Sequence, residues 1–261
     1  RSHLRQLISL SMRDPSAPSR LPGLPRVCAR LRTAVGFATL VACGLAAGSD
    51  ELGRPTFRDF PPGRNNIGFL SQAVGQDGAG YIYIASQWIF FHYDGTAWLR
   101  IPYPPEAAGP RKFACTADGT LYVGGAGMIG FLRRTGAGAE FVSLADRLPP
   151  TTLGCEDIHD ALAVGDTVYF ADEEKILRWH GGRFTVIPCP TPPRTRGARL
   201  FKVGDAVYAA VPGRGLCRLV DERLEEVSTA AVLRDRVIVL LERGAGDALV
   251  ALTATHGFVQ I

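Results

Sequence analysis

Cys155-Glu156-Asp157-Ile158-His159-Asp160 gathers within six residues side chains that bind metals and move protons. Alternate residues of an extended chain share a side, so Cys155, Asp157 and His159 would point one way. A zinc site takes four converging ligands, commonly as two spaced pairs, and only one cluster is present. The segment reads as a solvated linker, and no metal or cofactor is expected. Gly125-Ala126-Gly127-Met128-Ile129-Gly130 fits G-x-G-x-x-G after an apolar strand. That motif needs a helix to open at the glycines, so that its N-terminus faces a pyrophosphate. Here Phe131-Leu132-Arg133-Arg134 runs into Thr135-Gly136-Ala137-Gly138, which leaves no room for a helix. Asp172-Glu173-Glu174 could suggest paired-carboxylate chemistry, yet it lies in a turn beside Lys175 where solvation explains it. His92 and His180 stand at strand ends next to turn glycines, and no Ser-His-Asp set can be nominated. No catalytic residue is assigned, and this segment is not expected to be an enzyme.

The elements that would position such residues repeat. Asp77-Gly78-Ala79-Gly80-Tyr81-Ile82-Tyr83-Ile84 has echoes in Asp118-Gly119-Thr120-Leu121-Tyr122-Val123 and Gly165-Asp166-Thr167-Val168-Tyr169-Phe170. Gly204-Asp205-Ala206-Val207-Tyr208-Ala209 and Gly246-Asp247-Ala248-Leu249-Val250-Ala251 continue the series. The register positions Tyr83, Tyr122, Tyr169, Tyr208 and Val250 are spaced by 39, 47, 39 and 42 residues. A period of about 40–45 residues with several strands per unit is the mark of a β-propeller. Helical repeats would carry a 3.6-residue apolar period, and these segments alternate at two or are apolar throughout. Each unit resolves into strands A to D. In the first unit these are Leu70 to Val74, Tyr81 to Ala85, Ile89 to Tyr93 and Ala97 to Ile101. A sheet of this kind cannot cover both faces alone, and radial stacking buries them. The expected fold is therefore all-β, a propeller of four-stranded antiparallel blades over residues 66–261, with about five blades visible. The last unit stops after strand C, which reads as truncation. Pro55-Thr56-Phe57-Arg58-Asp59-Phe60 resembles a D strand and is the competing way to complete that blade.

The chain has 261 residues and a formal charge of +4, but the charge is unevenly placed. Seven arginines against Asp14 give +6 before Ser49, leaving −2 for the remainder. Nucleic-acid binding needs clustered cations, which the body lacks. Thr33 to Ser49 is uncharged, follows arginines and ends in small residues, the layout of a secretory leader. Residues 1–48 are therefore read as leader and 49–65 as a lead-in segment. Cleavage after Ala46-Ala47-Gly48 is favoured; Leu40-Val41-Ala42-Cys43 resembles a lipobox, which would make Cys43 a lipidation site. Buried single thiols are the preferred reading of the remaining cysteines.

The repeats resemble the two-component regulator propeller family, the periplasmic sensor part of bacterial signalling proteins. The matching pieces are Gly80-Tyr81-Ile82-Tyr83-Ile84 with Phe91-His92-Tyr93-Asp94-Gly95 and Trp98. Leu121-Tyr122-Val123-Gly124-Gly125 matches too, as does Val168-Tyr169-Phe170 with Arg178-Trp179-His180-Gly181. Tyr stands in strand B where the family frequently has Trp. The resemblance implies an exported, membrane-associated sensor that recognises a small extracellular or saccharide-type molecule and signals through domains of its own outside this segment, with homodimerisation open. A propeller hydrolase or lyase, or a lipid-anchored assembly propeller, is the alternative. In antiparallel blades the A-strand starts and B–C loops share one face. That face carries the varied polar and aromatic residues a ligand site needs. The expected ligand contacts are Asn65, Asn66, Trp88, Arg111, Asp157, His159 and Arg214.

Overall fold

The computed structural model describes residues 71–261, apart from 87, 88, 137, 151, 153–156, 194, 196, 235 and 236. Five antiparallel meanders follow one another. The first is β1 (Ser71–Gln76), β2 (Ile82–Ser86), β3 (Ile89–Tyr93) and β4 (Trp98–Arg100); the second is β5 (Gly109–Cys115), β6 (Leu121–Ala126), β7 (Met128–Thr135) and β8 (Gly138–Ser143). The third comprises β9 (Asp160–Val164), β10 (Thr167–Ala171), β11 (Lys175–His180) and β12 (Arg183–Pro188). The fourth comprises β13 (Arg199–Val203), β14 (Ala206–Val211), β15 (Gly215–Val220) and β16 (Arg223–Ser228). The fifth holds three strands, β17 (Ile238–Arg243), β18 (Leu249–Thr253) and β19 (Gly257–Gln260). Helix among the described residues is confined to single turns at Ala145–Arg147 and Ala231–Arg234. The alternation read from the sequence thus gives the expected strands, with boundaries moved by a residue or two. Pro55 to Phe60 lies outside the described residues.

The first strands β1, β5, β9, β13 and β17 lie against one another in chain order, so each sheet radiates outward from its first strand. What joins the sheets is one packing rule used four times. The B-strand register residue and the second residue of strand C press on one A-strand and one B-strand residue of the next sheet. Tyr83 and Phe90 meet Phe113 and Val123. Tyr122 and Ile129 meet Ala161 and Phe170. Tyr169 and Ile176 meet Leu200 and Ala209, and Tyr208 and Leu216 meet Leu241 and Ala251. The period of two supplies the rule, because alternate residues of one strand face successive sheets. Among the described residues, none of the four apolar clusters joins the fifth sheet to the first.

The A–B turns of the first three sheets bond to one another. The amide of Gly78 donates to the carbonyl of Gly119 at 3.0 Å, and that of Ala117 to Gly165 at 2.9 Å. A Cβ on Gly78 would stand 2.5 Å from the Gly119 Cα, so glycine is required where the turns cross. The aspartates of these turns fold the chain themselves. Asp77 Oδ1 accepts the amides of Ala79 and Tyr81, and Asp118 Oδ1 accepts that of Thr120; both are the side-chain mimicry of a backbone turn.

Candidate functional site

The G-x-G-x-x-G run spans the end of β6, a one-residue turn at Gly127 and the start of β7. Its glycines serve close packing. A Cβ on Gly125 would lie 2.2 Å from the Gly109 carbonyl oxygen, and one on Gly130 equally close to that of Val142.

The polar cluster builds at the starts of β5 and β9. Asp157 makes an isolated antiparallel bridge with Ala126 at the end of β6. The Ile158 amide donates to Gly125, and the His159 amide donates to Ala171 at the end of β10. Residues 157–159 are thereby pinned between two sheets. Ile158 is buried in the core, while Asp157 stands at the A-start and B–C face, where Arg111 Nη1 lies 2.7 Å from both of its carboxylate oxygens. Both side chains remain a little over one third exposed, so the pair contributes little to stability and stays open to exchange partners. The His159 ring is mostly buried, and its Nε2 has no hydrogen-bond partner among the described residues. The exposed Glu173 has Oε1 at 3.7 Å from this nitrogen, beyond hydrogen-bonding reach.

Several residues around this cluster were missed in the sequence. Asp160 accepts the Leu200 amide at 2.9 Å through Oδ2 and faces Lys112 Nζ at 3.8 Å, which ties the starts of β5, β9 and β13 together. Asp172 was read as part of a solvated turn, and the structure corrects this. It is buried, accepts the amides of Glu174 and Lys175 at 2.8 Å, and pairs with Lys175 Nζ at 2.8 Å. The signal was present as an Asp followed three residues later by Lys, since a carboxylate bonding the amides two and three residues on defines such turns. The backbone carbonyl of Asp172 is also approached by Gly197, where a Cβ would stand 2.1 Å away. Glu173 thus projects from a rigid B–C turn toward His159.

The geometry brings Arg111 and Asp157 into contact, with His159 two residues further along the same segment. Arg214 lies in a B–C loop but does not join them. Its guanidinium turns outward to the fourth strand, with Nε 3.0 Å from Glu226 and Nη2 donating to the Leu224 carbonyl at 2.7 Å. Asn65, Asn66, Trp88, Cys155 and Cys43 lie outside the described residues. Among the described residues no three His, Cys, Asp or Glu side chains gather as a metal site.

Five meandering antiparallel sheets, radiating from stacked first strands and joined by one repeated apolar contact, define a β-propeller. No protein-family model matches the chain, and no curated protein matches it in sequence. Solved structures are similar to it. A catalytically inactive virginiamycin B lyase from Staphylococcus aureus, solved with quinupristin, aligns at 15% identity over 81% of this chain and 74% of that one, with a TM-score of 0.53. The WD40 propeller domain of Doa1 aligns at 10% identity over 73% of this chain and 64% of that one, with a TM-score of 0.51. The extracellular domain of a hybrid two-component system from B. thetaiotaomicron aligns at 11% identity with a TM-score of 0.49. That match covers 74% of this chain and 33% of the other. At such identities the first two likenesses establish the β-propeller fold and nothing finer, and the third is too loose to bear on function.

Proposed function

We propose that the chain is the ligand-recognition β-propeller of an exported signalling protein. Its A-start and B–C face binds a hydroxyl-rich small molecule of saccharide type, without chemistry of its own. The observation that carries this reading is the unfilled Nε2 of the mostly buried His159 beside the Arg111–Asp157 pair. A buried polar atom without a partner costs about 1–3 kcal/mol, a cost that a ligand hydroxyl would remove. Arg111 and Asp157 place donor and acceptor side by side, the pairing that a polyol reads through its hydroxyls. Export follows from the uncharged run Thr33 to Ser49 behind the arginines. The sensor role follows from the resemblance in the repeats, with signalling domains of the same protein as the onward partners.

The experiment is calorimetric titration of the full chain with a panel of oligosaccharides, on wild type and on Arg111→Ala and His159→Ala. Binding that weakens at least tenfold in both variants with unchanged thermal stability supports the reading. Binding unaffected by both changes overturns it. The enzymatic alternative has one specific observation behind it, the His159–Glu173 carboxylate–imidazole pair at 3.7 Å. Incubation with virginiamycin B and with the oligosaccharide panel, followed by mass spectrometry, tests that alternative. Turnover abolished by His159→Ala would replace the binding reading.

A further inference from the structure

Glu173 is left without a cation. Arg111 is held by Asp157 at 2.7 Å, and Lys175 by the buried Asp172 at 2.8 Å. Among the described residues no lysine or arginine pairs with Glu173, whose Oε1 stands 3.7 Å from Nε2 of His159. The carboxylate is exposed, and the ring it faces is mostly buried. The backbone that carries Glu173 is fixed from both sides. Asp172 Oδ1 accepts the amides of Glu174 and Lys175 on the inner side. The linker after β12 closes over the turn: Thr191 Oγ1 donates to the Glu173 carbonyl at 2.6 Å, and the Cys189 amide donates to that of Glu174 at 2.7 Å. A glutamate on a loose loop would have to be ordered by its ligand, and here most of that ordering is present in the free protein.

We infer, building on the binding role proposed above, that the ligand of this face carries a primary amine among its hydroxyls, as an amino sugar does, and that Glu173 selects it. Two acceptors confront each other across 3.7 Å. A carboxylate accepts only, and the imidazole Nε2 accepts in the tautomer that carries its proton on Nδ1. A single nitrogen about 2.8–2.9 Å from each spans that gap. An ammonium group has three donors, so it bonds to both and brings the positive charge that Glu173 lacks. A hydroxyl has one donor and serves only one of the two acceptors. An acetamide nitrogen also has one donor, and it brings no charge.

The test is calorimetric titration of the full chain, at about pH 7 where such an amine is largely charged, with three tetrasaccharides of one β-1,4 backbone. They differ at a single position of each sugar: hydroxyl in cellotetraose, ammonium in the glucosamine tetramer, acetamide in its N-acetylated form. The wild type should bind the ammonium form about tenfold or more tighter than the other two, the scale of one charge-assisted hydrogen bond. Glu173→Gln should bring the three within about twofold of one another and leave the hydroxyl form bound as before. Glu174→Gln removes an equal charge one residue away and should keep the preference. Both positions are exposed, and circular dichroism checks that both variants fold. Equal binding of the hydroxyl and ammonium forms by the wild type overturns the amine assignment; if Arg111→Ala and His159→Ala still weaken that binding, the hydroxyl-binding role stands without it. A preference that survives Glu173→Gln, or that Glu174→Gln abolishes as fully, overturns the role of Glu173. Failure of all three to bind overturns both the amine assignment and the role it builds on.

Discussion

His92 offers a quantitative probe of a joint. It lies on β3 and is 2% exposed, and neither ring nitrogen has a hydrogen-bond partner among the described residues. The rings of Tyr81 and Tyr83 flank it, each with its centroid 5.2 Å away. Arg134 stacks on Tyr81 at 3.9 Å, and Asp77 accepts the Tyr83 hydroxyl at 2.9 Å. Burial lowers the imidazole pKa from its ordinary 6.5 and outweighs the opposing pull of Asp94 and Asp77; Arg134 adds to the lowering. The folded state therefore refuses a proton that the unfolded chain accepts. Stability from this source is intact above pH 6.5 and falls as pH drops, by about 1.4 kcal/mol per pH unit until the folded imidazole itself protonates. His92→Phe keeps an aromatic ring in the stack and removes both the orphaned nitrogens and the titration. At pH 7.5 it should be neutral or stabilising by about 1 kcal/mol, the share of an unsatisfied polar group that the change relieves. Lowering the pH from 6.5 to 5.5 should then widen the gap between variant and wild type by up to about 1.4 kcal/mol. Urea unfolding followed by tryptophan fluorescence at half-unit pH steps measures both. Asp94, held down to about 2 by the amides of Ala97 and Thr96 and the Thr96 hydroxyl, titrates well below this window. Parallel pH profiles for wild type and His92→Phe would refute a buried neutral imidazole.

Gly130→Ala puts a Cβ 2.2 Å from the Val142 carbonyl oxygen and near the Phe141 ring; it should cost several kcal/mol, about 3 or more by the scale of overpacked sites, read as a large drop in Tm. Asp172→Ala removes the buried carboxylate that accepts two turn amides and pairs with Lys175 and should destabilise by about 3–5 kcal/mol, whereas Glu174→Ala next to it should change little. Trp179→Phe removes the indole donation to the Tyr122 hydroxyl at 3.2 Å and should cost about 1 kcal/mol while preserving the ring contact with Phe184. Burial pushes the Cys189 thiol up to about 11 and raises Cys217 as well. Both should resist Ellman's reagent at pH 8 in the native protein and react at once in denaturant.

The strands were legible because each carries its own signals. Tyr83, Tyr122, Tyr169 and Tyr208 alternate with apolar neighbours behind Gly/Asp turns, and that pattern needs no tertiary information. The shared face of A-starts and B–C loops was legible for a topological reason: antiparallel strands of a meander alternate in direction. Side-chain direction within that face was not. Arg214 stands in the expected loop, yet Glu226 and the Leu224 carbonyl on the neighbouring strand draw it outward. Asp172 was misjudged, and the depth at which His92 is buried was not legible, for a related cause. A residue beside a turn is solvated or buried according to what the next sheet lays over it, and a single strand does not encode that. Gly197 seals Asp172, and the β7–β8 region, through Arg134 and Gly138, closes on Tyr81 and His92.

The single packing rule also sets how the molecule comes apart. Among the described residues each apolar cluster joins one sheet to the next in chain order, so the stability of this part approximates a sum of per-sheet terms and four nearest-neighbour couplings. Among the described residues the second, third and fourth sheets are each held from both sides. Their B strands β6, β10 and β14 should therefore be among the slowest in amide exchange. A substitution at one joint would then uncouple the sheets beyond it while the remainder keeps its protection, so damage to this protein would be local in extent and directional in its spread.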